Sequence, residues 1–181
     1  MSDITAEDAS GAGTRKSHAL LTTLSIATLI QIVATASVLA LTAIAPTVAA
    51  DLGIGAYWIG YQISLIYASG MFSSAVAGTL VKRYGPVRVE QLALVCFLIG
   101  FVGIAMAHVP LIIVASLFIG IGYGLNNPAS SEMLGRITPH GKRNIVFSIK
   151  QSGVPLGGIL ASFAFPFLTR VMDWKLALLI G

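Results

Sequence analysis

Residues 78–88 read Gly-Thr-Leu-Val-Lys-Arg-Tyr-Gly-Pro-Val-Arg, a short basic segment between two long apolar runs. The flanking runs extend from about Tyr57 to Val81 and from about Val89 to Ala107. A helix needs about 20 apolar residues to cross a bilayer core about 30 Å thick, and backbone groups in lipid must be bonded internally. The segment therefore predicts a loop between two transmembrane helices.

Three further apolar runs are long enough to cross a membrane. They extend from about Ala19 to Ala50, from about Leu111 to Leu134 and from about Asn144 to Leu168. After them, Asp173-Trp174-Lys175 has the character of an interfacial anchor that opens a sixth helix. The sequence thus predicts an all-α integral membrane protein with five full transmembrane helices and the start of a sixth.

The same runs predict the domain boundaries. Residues 1–18 are expected to form a polar cytoplasmic tail, and residues 19–181 the transmembrane helix bundle. The sixth helix has only about eight residues, whereas crossing the hydrocarbon requires about 20. We therefore expect the chain to be a fragment, or the product of a truncated gene.

The overall composition excludes several classes of protein. The chain is 56% hydrophobic and only 10% charged, whereas soluble domains carry about a quarter charged residues. The net charge of +4 does not indicate a nucleic-acid partner, because the basic residues are divided among short loops. Cys96 is the only cysteine, and the three histidines lie in separate segments. We expect no metal site, no cofactor and no enzymatic activity, since no His, Glu or Asp cluster is present.

The basic residues also predict the orientation of the helices. Cytoplasmic loops of membrane proteins carry an excess of Lys and Arg. Only Arg170 and Lys175 fall on one side of the predicted bundle, and the other side carries Arg15, Lys16, Lys82, Arg83, Arg88, Arg136, Lys142 and Arg143. The pattern predicts a multi-pass protein of the cell membrane with a cytoplasmic N-terminus.

An internal repeat relates the two halves of the chain. Pro46 and Pro128 are each followed, after five intervening residues, by Leu-Gly. Helices two and five carry small residues at four-residue steps, which lets helices pack closely in lipid. Because helices one and four cross in opposite directions, the pattern predicts a 3+3 inverted repeat. The predicted packing residues are Gly70, Ser74 and Gly78 in helix two and Gly153, Pro155, Gly157 and Ala161 in helix five.

Residues 78–88 resemble the loop signature of the major facilitator superfamily, Gly-x-Leu-x-Asp-Arg-x-Gly-Arg-Lys/Arg. Gly78, Leu80, Arg83 and Gly85 match it at the same spacing. The segment from Gly153 to Gly158, with Pro155, is similar to a glycine-proline motif of that family. The resemblance covers the chain from about residue 19 onward.

The resemblance implies a protein of two six-helix bundles that rock around a central cavity, with this chain as the first bundle and a C-terminal half as its partner. Gly78, Lys82, Arg83, Gly85 and Arg88 would form the cytoplasmic gating loop. Lys82 replaces the family's usual aspartate, which puts that gate in doubt. Ser116 stands near the position of an arginine in some proton-coupled antiporters, so coupling through that position is not supported.

Polar residues inside the predicted spans are the candidates for solute binding. Gln31 and Thr35 share one helix face with Thr28 and Thr42. A lysine within a span is a functional hypothesis, although its side chain can also extend to the interface. The amides before Pro128 can instead serve a kink in helix four. The candidates are Gln31, Thr35, Asn126, Asn127, Lys150 and Gln151.

These features predict a transporter of the major facilitator type that moves a small solute by alternating access. Its expected partners are the lipid bilayer and the solute, with a coupling ion left open. Lys150 favours a small organic anion as the solute, because an ammonium group binds carboxylates. The alternative is a channel subunit or a membrane assembly protein without transport activity.

Overall fold

A computed structural model of the chain describes the backbone of residues 3–55 and 57–180 and the side chains of residues 17–55 and 57–179. Within these ranges the chain is helical and contains no strand, which confirms the predicted all-α class. The helices, numbered in chain order, are α1 Asp3–Ala43, α2 Ala45–Leu52, α3 Tyr57–Tyr84, α4 Pro86–Ala105, α5 Val109–Ile137, α6 Arg143–Gln151, α7 Gly153–Val171 and α8 Trp174–Ile180.

Five segments of the described chain are long and apolar enough to cross a membrane, and they coincide with the five predicted spans. They are Ser17–Ala43, Tyr57–Tyr84, Pro86–Ala105, Val109–Ile137 and His140–Val171. Large apolar side chains on their outer faces are exposed, among them Phe72 at 70%, Leu98 at 65% and Phe163 at 75%. Such a surface requires lipid, because water would order around it at a large free-energy cost.

Two details differ from the predicted spans. The first span was expected to continue to Ala50, but α1 ends at Ala43 and the chain restarts as α2, with Pro46 in its first turn. Proline suits a helix start, because the missing N–H has no partner there. The fifth span is divided into α6 and α7 around Ser152. Pro128 lies inside the continuous helix α5, in agreement with the predicted fourth span from about Leu111 to Leu134.

The predicted polar tail falls mainly on residues whose side chains lie outside the described ranges. The backbone of residues 3–18 continues as the start of α1. Arg15 and Lys16, two of the basic residues used to predict orientation, are among the residues whose side chains lie outside the described ranges. The tail therefore stays a prediction.

The helix pairing agrees with the predicted inverted repeat. The repeat equates α1 with α5, and α3 with the helix formed by α6 and α7. It therefore requires that the pairing of α1 with α7 correspond to a pairing of α5 with α3. Both pairs are extensive interfaces in the structure, and α4 packs along the other side of α5.

Glycines allow the backbones of these helix pairs to approach closely. A Cβ at Gly120 would collide with the carbonyl oxygen of Ile66, and one at Gly124 with that of Gly70. We call this contact of α3 with α5 the glycine seam. In the second pair, Gly157 of α7 lies equally close to the carbonyl oxygen of Ile32 on α1. Helices without a hydrophobic drive for association rely on such close packing.

The structure places the predicted packing residues on both sides of their helices. Gly70, Gly153 and Gly157 are buried at interfaces, with Ala161 one turn beyond Gly157. Ser74, Gly78 and Pro155 are exposed. The buried stripe of α3 is Gly70, Ser73 and Ala77. A strict four-residue step drifts around a helix of 3.6 residues per turn, so the predicted stripe leaves the interface after one turn.

A polar contact joins α2 to α8. The indole Nε1 of Trp174 donates a hydrogen bond of 3.0 Å to Oδ2 of Asp51. The ammonium group of Lys175 lies 3.5 Å from the same oxygen. The indole hydrogen bond, followed by the charge of Lys175, holds the pKa of Asp51 below its usual range.

This contact is expected to break at acid pH. A carboxylate whose pKa is lowered by folding stabilises the folded state above its unfolded pKa, about 3.9, and loses that contribution as the pH falls through the lowered value. In a Trp58→Phe variant, which leaves Trp174 as the only tryptophan, its fluorescence should change below about pH 4. The change should be absent when Asp51→Asn is added. An unaltered acid transition in that double variant would show that another group controls it.

Candidate functional site

Buried polar side chains from four helices meet at one level of the bundle. Gln31 of α1 and Asn126 of α5 are fully buried, Lys150 of α6 is 2% exposed and Glu90 of α4 is 4% exposed. Asn127 of α5 is half-buried beside them. We call these five residues the polar layer. Such groups are costly to place inside a membrane, so their convergence marks a candidate functional site.

One amide pair links α1 to α5 within this layer. Nδ2 of Asn126 donates a hydrogen bond of 3.1 Å to Oε1 of Gln31. Among the described residues, Nε2 of Gln31 and Oδ1 of Asn126 have no hydrogen-bond partner. The pair therefore retains one unused donor and one unused acceptor in the interior. A hydroxyl group of a bound ligand could donate to Oδ1 of Asn126 and accept from Nε2 of Gln31 at the same time.

Lys150 points into the bundle and is held by neutral oxygens. Its Nζ donates to Oδ1 of Asn127 at 2.9 Å and to Oγ of Ser131 at 3.3 Å. The ion pairs found in the described part of the chain are Arg136 with Glu132 and Lys175 with Asp51. Lys150 belongs to neither pair. Its ammonium group is thus buried with hydrogen bonds but without an anion in direct contact.

The bond to Lys150 determines which way the Asn127 amide faces. An ammonium group has only donors, so the partner atom of Asn127 must be its carbonyl oxygen. The NH₂ group of Asn127 is the part that remains available. The nearby positive charge polarises this amide and makes its NH₂ a better donor. Asn127 can therefore present the charge of Lys150 to a ligand that never touches the lysine.

Glu90 was not among the candidates from the sequence. The structure places it one turn inside α4, with no hydrogen-bond partner for either carboxylate oxygen among the described residues. The neighbouring Val89 belongs to the same buried apolar cluster as Leu125 and Ala129 of α5. Lys150 is the charged group that interacts with it electrostatically. The signal that could have revealed it is the presence of a carboxylate inside the predicted span that begins near Val89.

A small aromatic cleft opens next to the polar layer. The rings of Tyr67 and Tyr123 meet edge to face, with their centroids 6.1 Å apart at an interplanar angle of 84°. They border a cavity of about 170 Å³, which we call the tyrosine cleft. Its remaining walls are Gly70, Met71, Ser74, Gly124 and Asn127. Asn127 is thus shared between the tyrosine cleft and Lys150.

The other predicted candidates lie at the edges of this site. Thr35 is buried one turn after Gln31, and its hydroxyl has no hydrogen-bond partner within the described residues. Gln151 is exposed and borders an open polar recess together with Lys150 and Ser131. The structure therefore brings Gln31, Asn126, Asn127 and Lys150 together and leaves Gln151 at the surface.

The predicted gating loop lies at the end of the bundle. Gly78, Lys82, Arg83 and Arg88 are exposed, and the guanidinium of Arg83 lies 5.3 Å from the ring centroid of Tyr84. Gly85 connects α3 to α4 with φ 85° and ψ 153°. That backbone conformation is essentially restricted to glycine.

Substituting Gly85 with alanine is expected to destabilise the loop by about 1–3 kcal/mol, because the added Cβ is incompatible with this conformation. Gly78→Ala is the matched control, since Gly78 is helical and a Cβ there meets open space. The control should be neutral or stabilising by up to about 1 kcal/mol. Thermal unfolding of both variants in detergent makes the comparison. Equal midpoints would contradict the strain assigned to Gly85.

Comparisons with known proteins agree with this architecture. The chain is 27% identical over 141 residues to the 4-hydroxybenzoate transporter PcaK of Pseudomonas aeruginosa, covering 76% of the chain and 31% of the relative. It is 27% identical over 143 residues to the hexuronate transporter of Bacillus subtilis, covering 78% and 34%. It is 33% identical over 122 residues to sugar transport protein 6 of Arabidopsis thaliana, covering 64% and 23%.

The chain thus spans only about a quarter to a third of the length of these relatives. The sequence pattern of the Major Facilitator Superfamily matches residues 25–181, which include every described membrane-spanning helix except the start of the first. With its five spans and its paired helices, the chain belongs to the Major Facilitator Superfamily.

Proposed function

We propose that this chain forms the first helix bundle of a transporter that moves a small organic anion across a membrane by alternating access. The polar layer and the tyrosine cleft would form its share of the solute path. The second bundle would come from the rest of the full-length protein. The family membership supports transport as the general activity, whereas the charge of the solute is argued from Lys150.

The buried ammonium group of Lys150 is the observation that carries the proposed anion. It is 2% exposed, and neutral oxygens are its hydrogen-bond partners. Attraction between charges is stronger in the interior than in water. Among the described residues no carboxylate is in direct contact with Lys150, so an anion entering the path would gain from its charge. Two of the relatives are named for 4-hydroxybenzoate and hexuronate, which carry carboxylates, and the third is named for sugar.

Transport by the full-length protein in proteoliposomes tests this proposal. Benzoate and glucuronate represent organic anions, and glucose serves as the neutral comparison. We expect saturable uptake of at least one anion, and exchange of labelled for unlabelled anion across the membrane, which an alternating-access carrier can perform. Uptake of glucose without uptake of either anion would overturn the anionic assignment. Ion conductance without saturation would instead favour the alternative, a channel subunit.

We further propose that the N-terminus lies in the cytoplasm and that the protein resides in the cell membrane. The support is the set of basic residues that follow α3 and α5, at one end of the bundle. An impermeant thiol reagent can test the orientation in a Cys96→Ala background. Arg88→Cys should be labelled from the cytoplasmic side and Arg170→Cys from the opposite side. The reverse pattern would contradict this orientation.

A further inference from the structure

We infer that the tyrosine cleft is a binding site for the ring of an aromatic carboxylate, and that Asn127 donates a hydrogen bond to its carboxylate group. This inference rests on the proposed function, because it narrows the organic anion to a single class. Four properties of the site carry it: the arrangement of the tyrosines, the size of the cleft, the direction of the Asn127 amide and the position of Lys150.

The tyrosines provide a partly open aromatic surface. Tyr67 is 50% exposed even though it contacts Tyr123, so much of its surface remains available to a ligand. Aromatic rings prefer edge-to-face or offset arrangements with centroids about 4.5–7 Å apart. The two tyrosines already adopt that geometry at 6.1 Å and 84°. A third ring can therefore extend the same arrangement into the cleft.

The size of the cleft suits a single small ring. Its volume of about 170 Å³ is below the roughly 300–1,000 Å³ of pockets that hold drug-sized molecules. Gly70 and Gly124 border the cleft where α3 and α5 are in close contact, and both are fixed in the glycine seam. The cleft is thus suited to one planar ring and is bounded by helix backbone that cannot easily widen.

The preference for a negatively charged ligand comes from Lys150, which does not line the cleft but contacts Asn127 at its wall. Asn127 borders the cleft, while its Oδ1 accepts the hydrogen bond from Lys150 at 2.9 Å. Its NH₂ group is therefore the donor left for a ligand, and the ammonium group strengthens it. A carboxylate is the better acceptor for such a donor, because charge-assisted hydrogen bonds are about twice as strong as neutral ones. Lys150 is a positioning residue that acts through Asn127.

The test compares three probes that differ in one property each. Benzoate has both ring and charge, benzamide has the ring without the charge, and cyclohexanecarboxylate has the charge without the aromatic ring. Competition with transported solute in the full-length protein in proteoliposomes gives their relative affinities. We expect benzoate to bind about tenfold more tightly than either comparison probe. Equal binding of benzoate and cyclohexanecarboxylate would overturn the aromatic site.

Variants separate the two parts of the site. Tyr123→Leu should lower the affinity for benzoate to that for cyclohexanecarboxylate. Lys150→Met should lower it to that for benzamide and leave benzamide itself unchanged, a pattern that general misfolding cannot produce. Lys150→Arg should restore most of the preference for the acid. Tyr61→Leu is the matched control, because Tyr61 lies on the same helix as Tyr67, 65% exposed and outside the cleft, and should change none of these affinities.

The results of these experiments can contradict the aromatic site without contradicting the proposed transport function. Saturable transport of a non-aromatic anion, with no preference for benzoate, would overturn the aromatic site and leave the transporter intact. Absence of transport for every solute tested would remove the proposed function and this inference together. Loss of benzamide binding in Lys150→Met would show that the lysine acts on the structure and not on the charge of the ligand.

Discussion

Gly124→Leu is expected to prevent the bundle from folding, because no space exists for a side chain at this position. A Cβ on Gly124 would meet the carbonyl oxygen of Gly70 and the hydroxyl of Ser73. The first of these is backbone, which cannot rotate away as a side chain can. Overpacking usually costs about 1–3 kcal/mol. We expect at least the upper end here, about 3 kcal/mol, because the helices must separate along the whole glycine seam.

The yield of monodisperse protein and its thermal unfolding in detergent provide the measurement. Gly124→Ala should lie between wild type and the leucine variant. Gly60→Leu is the matched control, since Gly60 is exposed on α3 and a Cβ there has no neighbour within 4 Å. The control should unfold like wild type. If Gly124→Leu and Gly60→Leu were equally stable, the seam would not hold α3 against α5.

Lys150→Met is expected to abolish most transport of organic anions while leaving the fold intact. Replacing Lys150 with an apolar side chain of similar length removes its desolvation cost but also its attraction to Glu90, so stability should stay close to that of wild type. It also leaves Oδ1 of Asn127 without its donor, which costs about 1–3 kcal/mol and further offsets the relief of desolvation. Uptake of an anion should fall at least tenfold, because the path loses its positive charge.

Uptake rate and thermal unfolding should be measured on the same preparation, since the prediction is that they move independently. Lys142→Met is the matched control, because Lys142 is exposed in the connection between α5 and α6. It should retain far more transport than Lys150→Met. Normal uptake of anions by Lys150→Met would remove this residue from the site. A large fall in stability would indicate that its hydrogen bonds serve the fold.

The spans were predictable because each depends on a local property, a run of about 20 apolar residues. The hydrogen-bond partners within the polar layer were not predictable from the sequence. Lys150 and Asn127 are separated by 23 positions, and Asn126 and Gln31 by 95. Sequence shows that each side chain is costly in a membrane, but not which helix faces it. The burial of Glu90 depends on where α4 begins. Because α4 starts at Pro86, Glu90 lies one turn inside the helix.

The packing faces of the helices were also predicted only in part. The predicted stripe of Gly70, Ser74 and Gly78 follows a four-residue step, whereas contact with α5 follows Gly70, Ser73 and Ala77. The tightest residues of the partner helix, Gly120 and Gly124, were not among the predicted packing residues, although their spacing is that of a small-xxx-small packing motif. That spacing in α5 is the local signal that indicates the glycine seam.

The position of Asn127 between the tyrosine cleft and Lys150 has a consequence for how substrate range can diverge. The walls that select the shape of a ligand lie on α3 and α5, whereas the charge that polarises Asn127 lies on α6. Shape and charge selection are therefore encoded by different helices and can vary independently. A substitution at position 150 alone would change the preferred ligand from an acid to a neutral molecule without changing the residues that line the tyrosine cleft.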